Sequence, residues 1–198
     1  MEATTTKYHP ILFSTPMVQA ILEGRKTQTR RIVKYPLQLK GWLVSIGESE
    51  NPPPIEFCPY EVGDVLWVRE TFAEWPKVMF QYKASTHIGS EIGKWKPSIF
   101  MPKEACRIFL KLKQIRVERL QDISEEDAIA EGVISFFNPL FQETRFKDYM
   151  ISYSECREAS RSFCSLWESI NGLNSWNQNP FVWVYEFEQI EKPNDFIV

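Results

Sequence analysis

The stretch EGRKTQTRRIVK, residues 23–34, concentrates basic side chains. Ten consecutive residues contain five cations and no acid: Arg25, Lys26, Arg30, Arg31 and Lys34. A guanidinium presents a planar fork of N–H donors that suits a phosphate or the edge of a base. Adjacent residues on a strand face opposite sides, so only one of Arg30 and Arg31 can point at such a ligand, and the other becomes a surface charge. The segment therefore indicates a site for an anionic or electron-rich ligand.

The remainder of the chain has the opposite charge. The formal net charge is −3, so the residues outside this basic segment sum to −8. An acidic surface disfavours the indiscriminate coating of DNA, which requires many phosphates to be neutralised. A local cationic opening draws in a single ligand, and we expect its binding to depend only modestly on salt.

A short helix and a strand are predicted on either side of the basic segment. Ser14 or Thr15 can cap the helix, and Pro16 suits its first turn. Gly24 suits the residue just after its last turn. The basic segment then leads into a strand predicted over 29–33.

Further elements follow from periodicity and from capping signals. VLWV (65–68) is typical of a short buried strand, and CRIFLKLKQIRVERL (106–120) alternates apolar and basic residues as a half-buried strand with a solvated charged face. In DISEEDAIAEGV, Ser124 and Asp127 form a capping box, which predicts a second short helix. The remaining predicted elements are a strand over 79–84, a longer helix over 154–170 and a closing strand over 180–190.

These elements predict an α+β fold. Short strands distributed around short helices favour a small mixed, mostly antiparallel β-barrel with short flanking helices. A length of 198 residues is compatible with one domain, and we predict a single domain over 1–198. Loops or insertions are predicted near 35–60, which contains five prolines, and near 84–98 and 134–153.

Composition excludes several classes of protein. The start, MEATTTKYHP, has no apolar leader region and no apolar run approaches the length that spans a membrane, so we expect a cytoplasmic protein without membrane contact. The four cysteines contain no C-x-x-C pair, and His9 and His87 have no partner at ligand spacing. We therefore predict no metal site, no cofactor and no catalysis by histidine.

Four blocks in this order resemble the ASCH family: GRKTQTRR, VGDVLWVRE, ISEEDAIAEG and NPFVWVYEFE. The stretches FSTPMVQAILEGRKTQTRR and KPSIFMPKEACRIFLKLKQIRVERLQDISEEDAIAEGV resemble the longer members encoded in phages and prophages. The resemblance touches segments from Pro10 to Glu188 and leaves 35–57, 72–93 and 136–164 mostly uncovered. It implies a PUA-like β-barrel related to RNA-binding PUA domains.

The resemblance also implies catalytic roles. Small bacterial members hydrolyse the acetyl amide of N-acetylated cytidine, using a Lys and a Thr of the G-R-K-T-x-T segment and a Glu of a later short helix. The matching positions here are Lys26, Thr29 and Glu131. Thr29 would attack the carbonyl, Lys26 would take its proton if burial beside arginines lowers its pKa, and Glu131 would protonate the leaving amine.

Four arginines are predicted to bind substrate: Arg25, Arg30, Arg31 and Arg69. Arg69 ends the VLWVRE strand, where it either lines the opening of the site or pairs with Glu70. The predicted ligand is a nucleoside or RNA, and the acyl group and the oligomeric state stay open.

Two other functions are compatible with the sequence. A PUA-like barrel can hold RNA or a modified nucleotide without altering it, through a basic rim and stacking. Ribonuclease activity has precedent in the family, but the chain has few histidines and no obvious carboxylate cluster for metals.

Overall fold

The structure is a computed structural model that describes residues 6–34, 37–39, 42–44, 51–75, 79–86 and 93–196. Within these ranges the helices are α1 (Thr15–Leu22), α2 (Glu125–Ala130) and α3 (Ala159–Asn171). The strands are β1 (Tyr8–Leu12), β2 (Gln28–Ile32), β3 (Leu37–Leu39), β4 (Trp42–Val44), β5 (Val65–Arg69), β6 (Phe72–Trp75), β7 (Met79–Tyr82), β8 (Phe109–Arg119), β9 (Ser135–Asn138), β10 (Glu143–Lys147), β11 (Glu155–Cys156) and β12 (Phe181–Ile190). His87 and parts of the predicted insertions at 35–60 and 84–98 lie outside the described residues.

The strands pair mostly in antiparallel fashion, which confirms the mixed α+β class. Five of them are hydrogen-bonded in the order β1-β5-β8-β12-β2, with β1 parallel to β5. A second sheet has the order β11-β10-β9, and β3–β4 and β6–β7 form two further antiparallel pairs. The described strands form no closed barrel, so the barrel stays a prediction.

The chain divides into two compact units. The first unit comprises Met1–Gly24, Glu61–Lys113 and Phe187–Val198, and the second comprises Arg25–Tyr60 and Gln114–Glu186. In the first unit, Phe196 packs edge-on against Phe109 beside Val65, and a separate cluster forms around Phe72 and Met101. The prediction of one domain over 1–198 stays a prediction.

The core of the second unit lies around α2 and α3. Buried apolar side chains of both helices meet Val182 and Val184 of β12. Ile123 and Ala128, on either side of the α2 N-terminus, belong to this same cluster, which is the arrangement of a hydrophobic staple. Burial of this apolar face stabilises a helix of only six residues, which would be marginal in isolation.

The helix α2 begins at the predicted cap, but its capping box is only half formed. The hydroxyl of Ser124 accepts a hydrogen bond from Asp127 N at 3.1 Å. The Asp127 carboxylate binds Arg30 and Arg116. The Asp127 side chain thus forms ionic contacts with Arg30 and Arg116 instead of completing the capping box.

The third helix begins five residues later than the sequence predicts. Cys156 pairs with Phe146 of β10, so the chain is still extended there. The Glu125 carboxylate accepts hydrogen bonds from Ala159 N at 2.6 Å and Ser160 N at 3.1 Å, which satisfies the first amides of α3. The predicted insertion at 134–153 contains the β9–β10 hairpin.

The helix α1 agrees with its sequence signals. Ser14 is the N-cap residue, Pro16 lies in the first turn and Gly24 follows with a positive φ of 73°. None of the helices in the described ranges combines the length and apolarity needed to cross a membrane.

Candidate active site

Lys26 and Glu131 form the centre of the candidate site, in the second unit. Their backbones pair as an isolated antiparallel bridge, and Thr27 N donates to Ala130 O at 2.9 Å. Lys26 Nζ lies 2.7 Å from Glu131 Oε2 and 2.9 Å from the Glu131 main-chain oxygen. The two side chains are only 2% and 4% exposed. The fold thus joins the basic segment to the end of α2 at a buried ion pair.

Arg30 binds the second oxygen of the same carboxylate. Its Nη1 donates to Glu131 Oε1 at 3.1 Å, and its side chain is 0% exposed. The guanidinium also donates from Nη2 to Asp127 Oδ2 at 2.7 Å and from Nε to Glu118 Oε1 at 3.0 Å. Arg30 is therefore the inward-facing member of the Arg30–Arg31 pair, and three carboxylates surround it.

Arg116 on β8 extends these contacts. It donates to Glu118 at 3.1 Å, to Gln28 at 3.4 Å and, at closer range, to Asp127 and Glu186. Three cations and four carboxylates are thereby connected. We call this set the ion network: Lys26, Arg30, Arg116, Glu118, Asp127, Glu131 and Glu186.

The strand β2 holds the network through its alternation. Gln28 and Arg30 share one face, and their cross-strand partners are Glu186 and Val184 of β12. The Arg30 guanidinium lies 5.8 Å from the centroid of the Phe163 ring on α3. An aromatic ring thus lies against the Arg30 cation and carboxylates bind its edge, so the Arg30 side chain is fully buried.

Burial sets the electrostatics of Lys26. Removal from water lowers the pKa of its amine, and repulsion from Arg31 and Arg30 adds to that effect. The ion pair with Glu131 opposes the shift and does not cancel it. The neutral amine is therefore more accessible near neutral pH than in an ordinary lysine, which is the property that a lysine base needs.

Asp127 shows the opposite balance. Partial burial by itself would raise the pKa of this carboxyl group. Hydrogen bonds from Arg116 and Arg30 outweigh burial and hold the pKa below its ordinary value. Asp127 is therefore a permanent anion of the network at neutral pH.

Thr29 lies on the other face of β2. Its cross-strand partner is Tyr185, whereas Arg30 between Thr29 and Arg31 points to the ion network. Thr29 is buried, and Arg31 is half-buried opposite Trp183. The structure thus brings Lys26, Arg30 and Glu131 together and places Thr29 beside Tyr185.

Two tyrosines, Tyr60 and Tyr185, lie beside the face of β2 that carries Thr29 and Arg31. The Tyr60 ring packs against Tyr185 with centroids 5.1 Å apart, and the Cys58 thiol donates to the Tyr185 hydroxyl at 3.7 Å. Burial lowers the pKa of Arg31, an effect opposed by Glu131, Tyr60 and Tyr185. Burial also raises the pKa of both tyrosines, so they stay neutral hydroxyls.

Two of the predicted binding arginines bind main-chain carbonyls. Arg25 Nη1 donates to Gly132 O at 2.7 Å, just beyond α2. Arg69 belongs to the first unit and donates to the carbonyl oxygens of Met101, at 3.1 Å, and of Ile99.

The suggested Arg69–Glu70 pair is wrong, because Arg69, the last residue of β5, binds main-chain carbonyls. Both Glu70 oxygens instead accept from Arg107, at 2.8 and 3.0 Å.

Sequence reasoning missed four members of the ion network: Arg116, Glu118, Asp127 and Glu186. The sequence favours a solvated charged face for β8 and shows no obvious carboxylate cluster for metals. Arg116 and Glu118 are two residues apart on one strand, so they share a face, and this spacing is the available signal. Each of the four carboxylates of the network binds an arginine.

The described residues contain no group of three His, Cys, Asp or Glu side chains arranged to hold a metal ion. A cavity of about 510 Å³ lies in the second unit between residues 148 and 168. None of the seven predicted site residues lines it.

Comparisons of the chain with protein-family models, with curated proteins and with solved structures find no match. The geometry of the ion network is therefore the main indication of function in the described residues.

Proposed function

We propose that this chain is an ASCH-type amidohydrolase that removes the acyl group from an N-acylated, cytidine-like nucleoside, and that its five-stranded sheet belongs to a PUA-like barrel. One observation carries the proposal: Lys26 is a buried amine whose pKa is lowered although it is paired with Glu131. Lys26 and Glu131 also occupy the positions that match the Lys and Glu of the family.

The proposed reaction uses Lys26 as both base and acid. Lys26 precedes β2, and Arg31, which shares the face of Thr29, acts electrostatically on the Lys26 amine. The proposal therefore places the Lys26 amine between the two faces of β2. In it the neutral Lys26 amine takes the proton of the Thr29 hydroxyl while Thr29 Oγ attacks the amide carbonyl carbon. The C–N bond then breaks and the Lys26 ammonium gives its proton to the leaving nitrogen. Water hydrolyses the resulting acyl-threonine ester, which releases the carboxylic acid and restores the hydroxyl group.

Glu131 has a different role here from the one the sequence implied. Its two oxygens accept hydrogen bonds from Lys26 and Arg30, so both oxygens already bind cationic side chains. Glu131 is therefore proposed to position Lys26 and to stabilise the ammonium that forms during the reaction.

Arg31 is the strongest candidate among the arginines for binding substrate. Arg30 is surrounded by three carboxylates, so it is proposed to position Glu131. Arg31 shares a face of β2 with Thr29, which pairs with Tyr185 of β12, and Tyr60 packs against the Tyr185 ring. Aromatic faces and a guanidinium are the groups on which unstacked bases commonly bind. Arg25 is proposed to fix the turn after α2 through Gly132.

The test is the release of cytidine from N-acetylated cytidine, with other acylated nucleosides assayed in parallel. The wild type should turn over, and Lys26→Met should lose at least about 10²-fold in kcat, the usual contribution of a general base. Lys34→Met is the matched control, because Lys34 belongs to the same basic segment and is exposed. Thr29→Ala should be inactive and Thr29→Ser partly active.

Two results would contradict this function. Unchanged kcat in folded Lys26→Met would show that Lys26 is not the base. Full activity in Thr29→Ala would show that Thr29 is not the nucleophile. A wild type that binds oligonucleotides and releases no cytidine would support a non-catalytic RNA or modified-nucleotide reader. Cleavage of the oligonucleotide would support a ribonuclease.

A further inference from the structure

The cavity of about 510 Å³ in the second unit contains two thiols. Cys156 lies on β11, and Cys164 lies on α3, which packs against β11. Both cysteines are half-buried and both line the cavity. They are eight positions apart in the sequence, and the turn into α3 brings the two elements back against each other.

The same side chains surround both thiols. Arg161 and Asp148 act electrostatically on Cys156 and on Cys164, and Cys156 acts on Cys164. On α3, Arg161, Cys164 and Glu168 recur at the three-to-four-residue spacing of one helix face. The two sulfur atoms therefore belong to one site, open to small molecules through the cavity.

We propose that Cys156 and Cys164 form a reversible dithiol–disulfide pair that exchanges with a small disulfide entering this cavity. One cysteine thiolate attacks the small disulfide, forms a mixed disulfide and releases one small thiol. The second cysteine thiolate attacks the protein sulfur of the mixed disulfide, closes the Cys156–Cys164 bond and releases the second thiol. The protein dithiol loses two electrons and two protons, and the small disulfide is reduced to two thiols.

The charge of the lining selects the class of disulfide. Four carboxylates line the cavity, those of Asp148, Glu155, Glu158 and Glu168, against the two guanidinium groups of Arg157 and Arg161. Arg145 lies 3.8 Å from Glu155, so one carboxylate remains in excess. An excess of negative charge attracts a cationic disulfide and repels an anionic one. The preferred reactant is therefore a small disulfide that carries amino groups.

The test uses three probes on the full, reduced chain: cystamine, which is cationic, hydroxyethyl disulfide, which is neutral, and glutathione disulfide, which is anionic. Burial raises the pKa of both thiols, so the reaction is run at mildly alkaline pH. The product is identified by intact mass and by mapping of non-reduced peptides. The expected product is a Cys156–Cys164 disulfide that dithiothreitol reverses, formed fastest with cystamine and slowest with glutathione disulfide.

The other cysteines and two single variants provide the controls. Cys58 and Cys106 should stay thiols, because Cys58 donates to Tyr185 and Cys106 is buried. Cys156→Ser and Cys164→Ser should each stop at a mixed disulfide. Stable mixed disulfides on both thiols of the wild type, or a disulfide that includes Cys58 or Cys106, would overturn the proposal. Fastest closure with glutathione disulfide would overturn the selection by charge.

Discussion

Two buried glutamates, one in each unit, have different partners. Glu70 in the first unit is 1% exposed, and a single guanidinium, that of Arg107, binds both of its oxygens. Arg107 in turn lies 4.0 Å from the centroid of the Tyr82 ring. Glu131 in the second unit shares its oxygens between Lys26 and Arg30.

These different partners determine whether a cation bound to each glutamate can lose its proton. Arginine stays protonated at any working pH, so the Glu70–Arg107 pair has one charge state and serves structure. Glu131 keeps Arg30 as a partner when Lys26 loses its proton, so the lysine can change charge without leaving a buried anion unpaired. A glutamate shared by two cations is therefore compatible with proton transfer.

Removal of Arg30 should cause the largest loss of stability. Arg30→Met leaves three carboxylates without their fully buried partner, and breaking buried ion pairs costs about 3–5 kcal/mol. Urea unfolding of the variant and the wild type measures the difference. Lys113→Met removes an exposed pair with Glu188 and should cost less than about 1 kcal/mol. Equal losses in the two variants would show that the ion network contributes little.

Removal of Arg107 should cost less. Arg107→Met leaves Glu70 without either hydrogen bond, but the Arg107 side chain is 28% exposed, so water can enter and solvate the carboxylate. Loss of hydrogen bonds to a charged group predicts a decrease of about 2–3 kcal/mol in the free energy of unfolding. The same urea experiment measures it. A loss larger than that of Arg30→Met would reverse the comparison between the two units.

Acid should remove part of the stability of the network. Asp127→Asn should cost about 1–2 kcal/mol at pH 7, because the amide cannot pair ionically with Arg30 and Arg116. The folded-state pKa of Asp127 lies below its ordinary value of 3.8, so its contribution is complete above that pH and is lost as the pH falls through the lowered value. Unfolding measured from pH 7 to 3 should show a constant difference that shrinks only at the acid end. A difference that shrinks already between pH 7 and 5 would contradict the lowered pKa.

The local elements were predictable from sequence, because their signals are local. Pro16 and Gly24 mark α1, Ser124 marks α2, and the period of two marks β8. The start of α3 was not predictable, because it depends on Cys156 pairing with a strand.

The candidate site was predictable only in part. The resemblance supplied Lys26 and Glu131, which the fold brings into contact. Lys26 is buried and ion-paired, so Lys26→Met needs a folding control. Burial and the contacts of Arg116 and Glu118 arise from tertiary packing, which no local pattern in a single sequence specifies.

The titration of the Lys26 amine tests the central claim most directly. NMR of the Lys Cε and Nζ nuclei across the alkaline range, with Lys26 assigned by its absence in Lys26→Met, reports the pKa without a substrate. The account predicts a pKa below the ordinary 10.5 for Lys26. Lys7 is the internal control, because its exposed hydrogen bond with Glu61 raises its pKa. A pKa at or above 10.5 for Lys26 would contradict its assignment as the base.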